Sequence, residues 1–386
     1  MTTEKQELYA GKRSVYLVGK VKLRDDSFKL DVKATSGYIY SSANIGIETG
    51  EGNVIYLECM GGYSPKNPLI KTQNKAKDSI DVNWNDRLNK KVVEQVNQYK
   101  LFKGSLKENE VETFISQYDL IQYMCHNMTE GMEVVVRGQM KLSVYKGEVQ
   151  RKFEITGVSL PYAKKDAETG ELLPIEYMAH LTQTVLLDED SFSEITDEEK
   201  AEGKKVIRGY AVDFISKYEG EEIKKSAMFP IAITVPMTEA KHEKISEYLF
   251  KHEGEGASEI VVEIDIVEGY SKSNVSSADI ELSDELQELV DMGLFSEEEA
   301  RAKLVVRGGK VSELMFKKVA LKIDEESGIG KPMLERGKYA QNELFFYEQA
   351  INGESNDIPT DTGNEDDDTP TGDDGGDEAW MKELGV

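Results

Sequence analysis

Gly131–Leu160, GMEVVVRGQMKLSVYKGEVQRKFEITGVSL, decides how the rest of the chain is read. Val134, Val136, Met140, Leu142 and Val144 give the period-2 pattern of a strand with one buried face, and Tyr145-Lys146-Gly147-Glu148 supplies a turn containing the Gly that short hairpins use. Val149–Leu160 returns as the second strand. Gly138 has no side chain to pack, and inside a strand such a residue marks a bulge or the tight bend of a small barrel. Upstream, Val111, Phe114, Ile115, Tyr118, Ile121 and Cys125 fall at the three-and-four spacing of a helix that buries one face, predicting a helix within Val111–Met128.

Working outward, Ser14–Val32 reads as strand, turn, strand, broken at Arg24-Asp25-Asp26-Ser27. Tyr38–Ile47 and Asn53–Met60 are further strands, separated by Thr49-Gly50-Glu51-Gly52. A helix between the third and fourth strands of a five-stranded Greek-key barrel is the arrangement of the OB-fold, a barrel that commonly binds oligonucleotides. Residues 1–162 are therefore expected to form an OB-like nucleic-acid-binding domain.

The chain has 386 residues, enough for two or three domains, and 39% hydrophobic content suits globular packing. It contains no run of eighteen apolar residues, and its first residues lack the apolar core and cleavage site of a secretory signal, so the expected location is the cytoplasm without membrane contact. Cys59 and Cys125 are the only cysteines, and each lies in an apolar pattern, which reads as a small core hydrophobe. The net charge of −26 argues against a nucleic-acid partner when taken alone. Its distribution argues otherwise. Residues 1–160 carry 23 Lys and Arg against 20 Asp and Glu, whereas the remaining 226 carry 24 against 53, an asymmetry that points to a nucleic-acid surface paired with an acidic tail.

Between the early strands and the helix lies an insertion, 61–107, that a compact five-stranded barrel does not require. Lys66, Lys71, Lys75, Lys77, Arg87, Lys90, Lys91, Lys100, Lys103 and Lys107 outnumber Asp78, Asp81, Asp86 and Glu94, with Tyr63, Trp84, Tyr99 and Phe102 interleaved. Cations track a phosphate backbone and aromatic faces accept stacked bases, so the basic and aromatic residues of this set from Tyr63 to Lys103, joined by Arg137, Tyr145 and Lys146 of the hairpin, are the candidate single-strand-binding surface. The competing reading is a solvated loop whose aromatics close over the barrel as core.

An acidic connector is expected over 163–203. Asp188–Ser193 lacks the sixth-position Gly of a calcium loop and reads as a solvated linker. A second OB-like domain is expected over 204–325, because Val206-Ile207-Arg208-Gly209 and Tyr218-Glu219-Gly220-Glu221 echo Val135-Val136-Arg137-Gly138 and Tyr145-Lys146-Gly147-Glu148. A helix follows at Thr238–Lys251, then a strand at Ile260–Val267 and a helical pair at Ser283–Lys303. A C-terminal helix is expected within 326–353, at Met333–Ile351. Residues 354–386 are rich in Gly, Asp, Glu, Thr, Asn, Ser and Pro, and read as a disordered acidic tail. The tail ends in an apolar tip, Trp380, Met381, Leu384 and Val386, suited to a groove on a partner protein. The fold class expected is thus mainly β (α+β), with tandem OB-like five-stranded barrels and a disordered acidic C-terminal tail.

No catalytic motif emerges. Gly328-Ile329-Gly330-Lys331 lacks the earlier Gly of a phosphate loop and is followed by Pro332; His242-Glu243 lacks a second His, with Ser246 in its place. The chain is expected to be neither an enzyme nor dependent on a metal or cofactor.

An OB-like barrel, a basic aromatic insertion, an acidic arm and an apolar tip, in that order, resemble the single-stranded DNA-binding proteins of bacteria and their phages. The resemblance rests chiefly on Gly131–Leu160 and Glu354–Val386. It implies protection of single strands in replication, recombination and repair, with the tail recruiting replication or recombination proteins, in the host cytoplasm if the chain is phage-encoded. Bacterial members typically end in acidic residues followed by Pro-Phe. This chain ends Trp380-Met381-Lys382-Glu383-Leu384-Gly385-Val386, which points to a dedicated partner. The opposing class is a protein-interaction or structural scaffold that binds no nucleic acid.

Overall fold

The first strand, β1 (Arg13–Lys22), turns Val15, Leu17 and Val21 inward and leads through β2 (Phe28–Lys33) into the long pair β3 (Ile39–Gly50) and β4 (Asn53–Tyr63). The computed structural model describes residues 7–162, 170–237, 240–272, 287, 290, 292, 307–323 and 330–353. After β4 come β5 (Leu69–Gln73), β6 (Ser79–Asn83), α1 (Lys90–Val93), β7 (Phe102–Ser105) and β8 (Glu112–Phe114). Helix α2 (Gln117–Asn127) then precedes the hairpin β9 (Glu133–Tyr145) and β10 (Glu148–Ser159). Pairing runs β1 to β3, β3 to β4, β4 to β10 in parallel, β10 to β9, and β9 back to β1, which closes a five-stranded barrel with α2 between its third and fourth strands.

Local chemistry explains the hairpin. Lys146 and Gly147 both have positive φ (51° and 80°), the two-residue turn whose twist matches antiparallel strands. A Cβ on Gly138 would lie 2.3 Å from the Glu154 carbonyl oxygen, and the ladder beside it shifts register between Ile155 and Gly157. The glycine thus permits the close approach at the bend. The helix starts later than its apolar spacing predicts. Ser116 caps it by accepting a hydrogen bond from the Tyr118 amide, and Glu112–Phe114 instead pair with β7.

The second half repeats the topology. Its strands are β11 (Met178–Leu187), β12 (Lys204–Tyr218), β13 (Glu221–Pro236), β14 (Ala257–Lys272) and β15 (Arg307–Val319), with α3 (Asp197–Glu202) before β12 and α4 (Ala240–Phe250) before β14. β11 pairs with β12, β12 with β13, β13 with β15 in parallel at Thr234 and Met315, β15 with β14, and β14 with β11. A small hairpin of β16 (Leu321–Ile323) and β17 (Gly330–Pro332) follows, and β18 (Leu334–Tyr339) adds to β14. The molecule is mainly β, a tandem of OB-like barrels.

Three expectations need correction. The stretch read as connector, 163–203, contains β11, whose alternating Ala179, Leu181, Gln183 and Val185 are buried; acidic flanks on both sides masked its pattern. The Val206–Gly209 echo matches different strands, since β12 and β13 are the second and third of their barrel while β9 and β10 are the fourth and fifth. Met333–Ile351 is not one helix. Leu334 pairs with Ile260 at the edge of β14, Gly337 adopts φ +56°, and helix is confined to a 3-10 turn at Gln341–Glu343 and the α-helix Tyr347–Ile351, so the sheet edge overrode the local helical spacing. The tail at 354–386 with Trp380, Met381, Leu384 and Val386, the turn at 164–169 and nearly all of Ser283–Lys303 lie outside the described residues.

One hydrophobic core runs through both barrels, from Val15, Leu17 and Ile45 to Val185, Ile233 and Ile264. Cys59 lies in this core, where burial pushes its thiol well up; Cys125 is half-buried, and both are free. Asp213 on β12, only 3% exposed, accepts hydrogen bonds from Arg13 Nη1 (2.7 Å), the Leu142 amide (2.7 Å) and the Phe214 amide (2.9 Å), locking β1 and β9 to the second barrel. Asn53 adds a second tie, donating to the Ile266 carbonyl (3.1 Å) and accepting from the Glu268 amide (2.7 Å). Among the described residues no helix is long and apolar enough to cross a membrane, and no three His, Cys, Asp or Glu converge as a metal site.

Near α3, burial alone would raise the Glu199 carboxyl. Hydrogen bonds from the Thr196 amide, the Lys205 ammonium and the Val206 amide outweigh that and hold it at about 2. Because the folded value lies below the ordinary 4.5, this contact stabilises fully above pH 4.5 and is lost as pH falls toward 2. Asp213→Ala removes the buried carboxylate that accepts from Arg13 and the Leu142 amide at the joint, and is expected to cost about 1–3 kcal/mol in urea unfolding.

Candidate nucleic-acid interface

The insertion leaves the barrel at Tyr63 and folds around its own small core of Val82, Val96 and Ile115, with Ile70, Ile80, Val92, Val93 and Leu101 packed against it. β5 and β6 pair as a hairpin whose turn is organised by Asn74, which accepts from the amides of Ala76 (2.8 Å) and Asp78 (3.0 Å). The side chains of Asn83, Asn89 and Asn97 cap the short helical turns that follow.

Trp84 attaches this unit to the barrel. It is 6% exposed; Tyr63 stacks on it at 4.2 Å, the Tyr118 ring meets it edge-on at 5.2 Å, and the Arg87 guanidinium carbon lies 4.0 Å from its ring centroid. Arg87 also shares its Nε–H between the two carboxylate oxygens of Asp119 on α2 (2.9 and 3.2 Å) and donates through Nη1 to the Trp84 carbonyl (2.8 Å). Tyr118 donates its hydroxyl to Asp31 of β2, so the insertion, α2 and the connection between β1 and β3 meet at one junction. Burial, with the Asp31 hydrogen bond adding to it, pushes the Tyr118 hydroxyl up to about 12. Burial likewise raises the Asp119 carboxyl, and the adjacent Arg87 charge, which pulls the other way, does not fully offset it.

The residues singled out in the sequence divide into three groups. Lys66, Lys75, Lys77, Lys90, Lys91 and Lys103 are exposed and form no ion pair among the described residues; Lys71 is exposed and Lys100 half-buried. Tyr99 stands beside Lys100 with 85% of its surface open. Tyr63, Trp84, Arg87 and Phe102 are instead turned to structure. With so little of Trp84 exposed no ring face is free for a base, and Phe102 packs on the main core. The remaining three lie apart from the insertion. Arg137 is exposed on β9 with its guanidinium carbon 5.6 Å from the Tyr16 ring, and Tyr145 and Lys146 form the β9–β10 turn, where the Gly147 backbone hydrogen-bonds Tyr218 of the second barrel.

Several residues escaped the sequence reading. On the outward face of β3 and β4, Tyr56 (48% exposed) and Met60 alternate with buried Ile55, Leu57 and Cys59, and the Arg24 guanidinium carbon lies 5.2 Å from the Tyr56 ring centroid. Their signal was the alternation itself, which places Tyr56 and Met60 opposite the core set. Tyr118 and Asp119 gave no sequence signal of their role, because their partners Asp31 and Arg87 are distant in the chain.

No protein-family model matches the chain, and no curated protein matches it. Among solved structures, a deletion mutant of the single-stranded DNA binding protein from Thermus aquaticus is similar at 10% identity and a TM-score of 0.31, over 66% of this chain and 86% of that one. The wild-type protein from the same organism gives 9% identity and 0.32, over 66% and 85%. Overlap at this level carries no argument about what this chain binds.

Trp84→Ala is expected to cost about 3–5 kcal/mol, as truncation of a buried aromatic does, and to open residues 64–101 to limited proteolysis. The Tyr118 contact has the opposite pH sign to Glu199. Its hydroxyl is raised from 10.0 to about 12, so the stabilisation is complete below pH 10 and disappears as pH rises toward 12; an alkaline unfolding titration of Tyr118→Phe should lack that step.

Proposed function

We propose that this protein binds single-stranded DNA without reading its sequence, using the first barrel and its insertion. The observation that carries the reading is the set of six exposed lysines, 66, 75, 77, 90, 91 and 103, that lack carboxylate partners among the described residues. In the second barrel, Lys204, Lys205, Lys317, Lys318 and Lys338 each pair with a carboxylate at 2.7–3.3 Å, while Lys217 and Lys244 are exposed without an ion pair among the described residues. Unpaired cations beside an open aromatic attract a polyanion and release its counterions, while Tyr99 and Tyr56 offer faces on which any base stacks. Trp84 serves this surface by anchoring it.

The wider role follows the same logic. A sequence-tolerant binder protects exposed strands in replication, recombination or repair, and the acidic tail with its apolar tip recruits partner proteins there. The protein acts as a binding protein rather than an enzyme.

Binding of the full chain to a labelled oligo-dT, followed by anisotropy, should weaken with salt at a log–log slope of about −0.7 per phosphate contacted. Replacing Lys75, Lys77, Lys90 and Lys91 with Glu should lower affinity and flatten that slope while leaving the melting temperature unchanged. Tyr99→Ala should cost about 1–3 kcal/mol of binding without loss of stability. Absence of binding at low salt would favour the scaffold reading, with which burial of Tyr63, Trp84 and Phe102 also agrees.

A further inference from the structure

We propose that the C-terminal segment 379–386 docks, within its own molecule, into a groove of the second barrel between α4 and the diverging ends of β13 and β15, with Trp380 as the anchor. The groove arises from topology. β13 and β15 meet at one parallel bridge, Thr234 with Met315, after which Val235 follows β12 through Lys205, and Val319 follows β14 through Val262. Helix α4 roofs the gap, leaving a cavity of about 310 Å³ with Val235, Ile245, Leu249, Phe316 and Val319 as its apolar walls.

Ser246 makes this cavity more than an apolar crease. Its side chain lines the groove and is 1% exposed, yet its hydroxyl has no hydrogen-bond partner. A buried hydroxyl left unpaired is costly, so the fitting occupant brings apolar bulk together with one polar atom. A tryptophan has that character, since its indole N–H only donates and a serine oxygen accepts. The chain has two tryptophans, and Trp84 is already enclosed at the insertion. Trp380 stands near Met381 and Leu384 and follows Asp373, Asp374, Asp377 and Glu378. The groove's own lining includes Lys317 and Lys318, whose pairs with Asp265 (3.3 Å) and Glu263 (3.2 Å) are solvent-exposed and exchange readily with an incoming acidic segment.

The reach is sufficient. Tyr347, in the last described helix, stacks on Phe229 of β13 at 5.5 Å, and Val235 lies six residues further along that strand, about 20 Å at strand spacing. The 27 residues from Gly353 to Trp380 span up to roughly 90 Å when extended. At an effective concentration on the order of 1 mM, a tip affinity of about 0.1 mM keeps roughly nine in ten tips docked. A partner protein that takes the tip must then compete with this groove.

Acrylamide quenching of the full chain tests the proposal, with the Trp380→Phe chain supplying the Trp84 background. Trp380 should be shielded in the native chain. Ile245→Glu, at a half-exposed position on the groove wall, should raise its quenching to that of a free indole, and so should Leu384→Asp in the tip itself, which changes no residue of the described strands and helices. Equal quenching in all three chains would overturn the proposal. Shielding that disappears on dilution would overturn it as well, by placing the tip in a second copy.

Discussion

The pairing of β1 with β11 is the contact on which the rest of the molecule depends. Each is the first strand of a barrel, and each is only partly covered by its own neighbours. β1 pairs with β9 from Ser14 to Lys20 but with β3 only from Lys20 to Lys22; β11 pairs with β14 from His180 to Leu187 but with β12 only at Leu186. An uncovered half-strand is a template for unwanted pairing. The two halves cover each other, from Arg13 opposite Gln183 to Val18 opposite Met178, and the barrels thereby share one core. Asp213, Arg13 and Asn53 fix the geometry of that joint.

Two barrels of one topology have diverged in their connections. In the second, Pro236 at the end of the third strand is followed almost at once by α4 at Ala240. The first inserts all of 64–116 at the corresponding place, and the insertion stays attached because Trp84, Tyr63, Arg87, Tyr118 and Asp119 interlock with α2. Charge follows the same division. Among the described residues, six exposed lysines of the insertion form no ion pair, whereas Lys204, Lys205, Lys317, Lys318 and Lys338 of the second half each meet a carboxylate. On the proposed function, this asymmetry would set a surface for a polyanion apart from a body that remains acidic.

Much of this was legible where local pattern and tertiary environment agree. Alternation across Gly131–Leu160 and the Lys146-Gly147 turn located β9 and β10, and Gly138 marked the bend. Legibility failed where a distant partner decides the state of a segment. β11 is a strand because β1 and β14 flank it, and Leu334–Tyr339 is a strand because β14 had a free edge. At the candidate interface the basic composition was visible, but composition does not tell a stacking platform from an anchor. Trp84 and Tyr99 look equivalent in sequence; the first is enclosed by Tyr63 and Arg87, and the second stands in solvent.

The proposed single strand would lie across the insertion and the outward face of β3 and β4. Hydrogen exchange of the full chain with and without a saturating oligo-dT tests it most directly. Added protection should appear within 64–101 and along β3 and β4 around Tyr56 and Met60, with exchange in β12 and β13 unchanged. Protection confined to the second barrel, with 64–101 unaffected, would contradict the account.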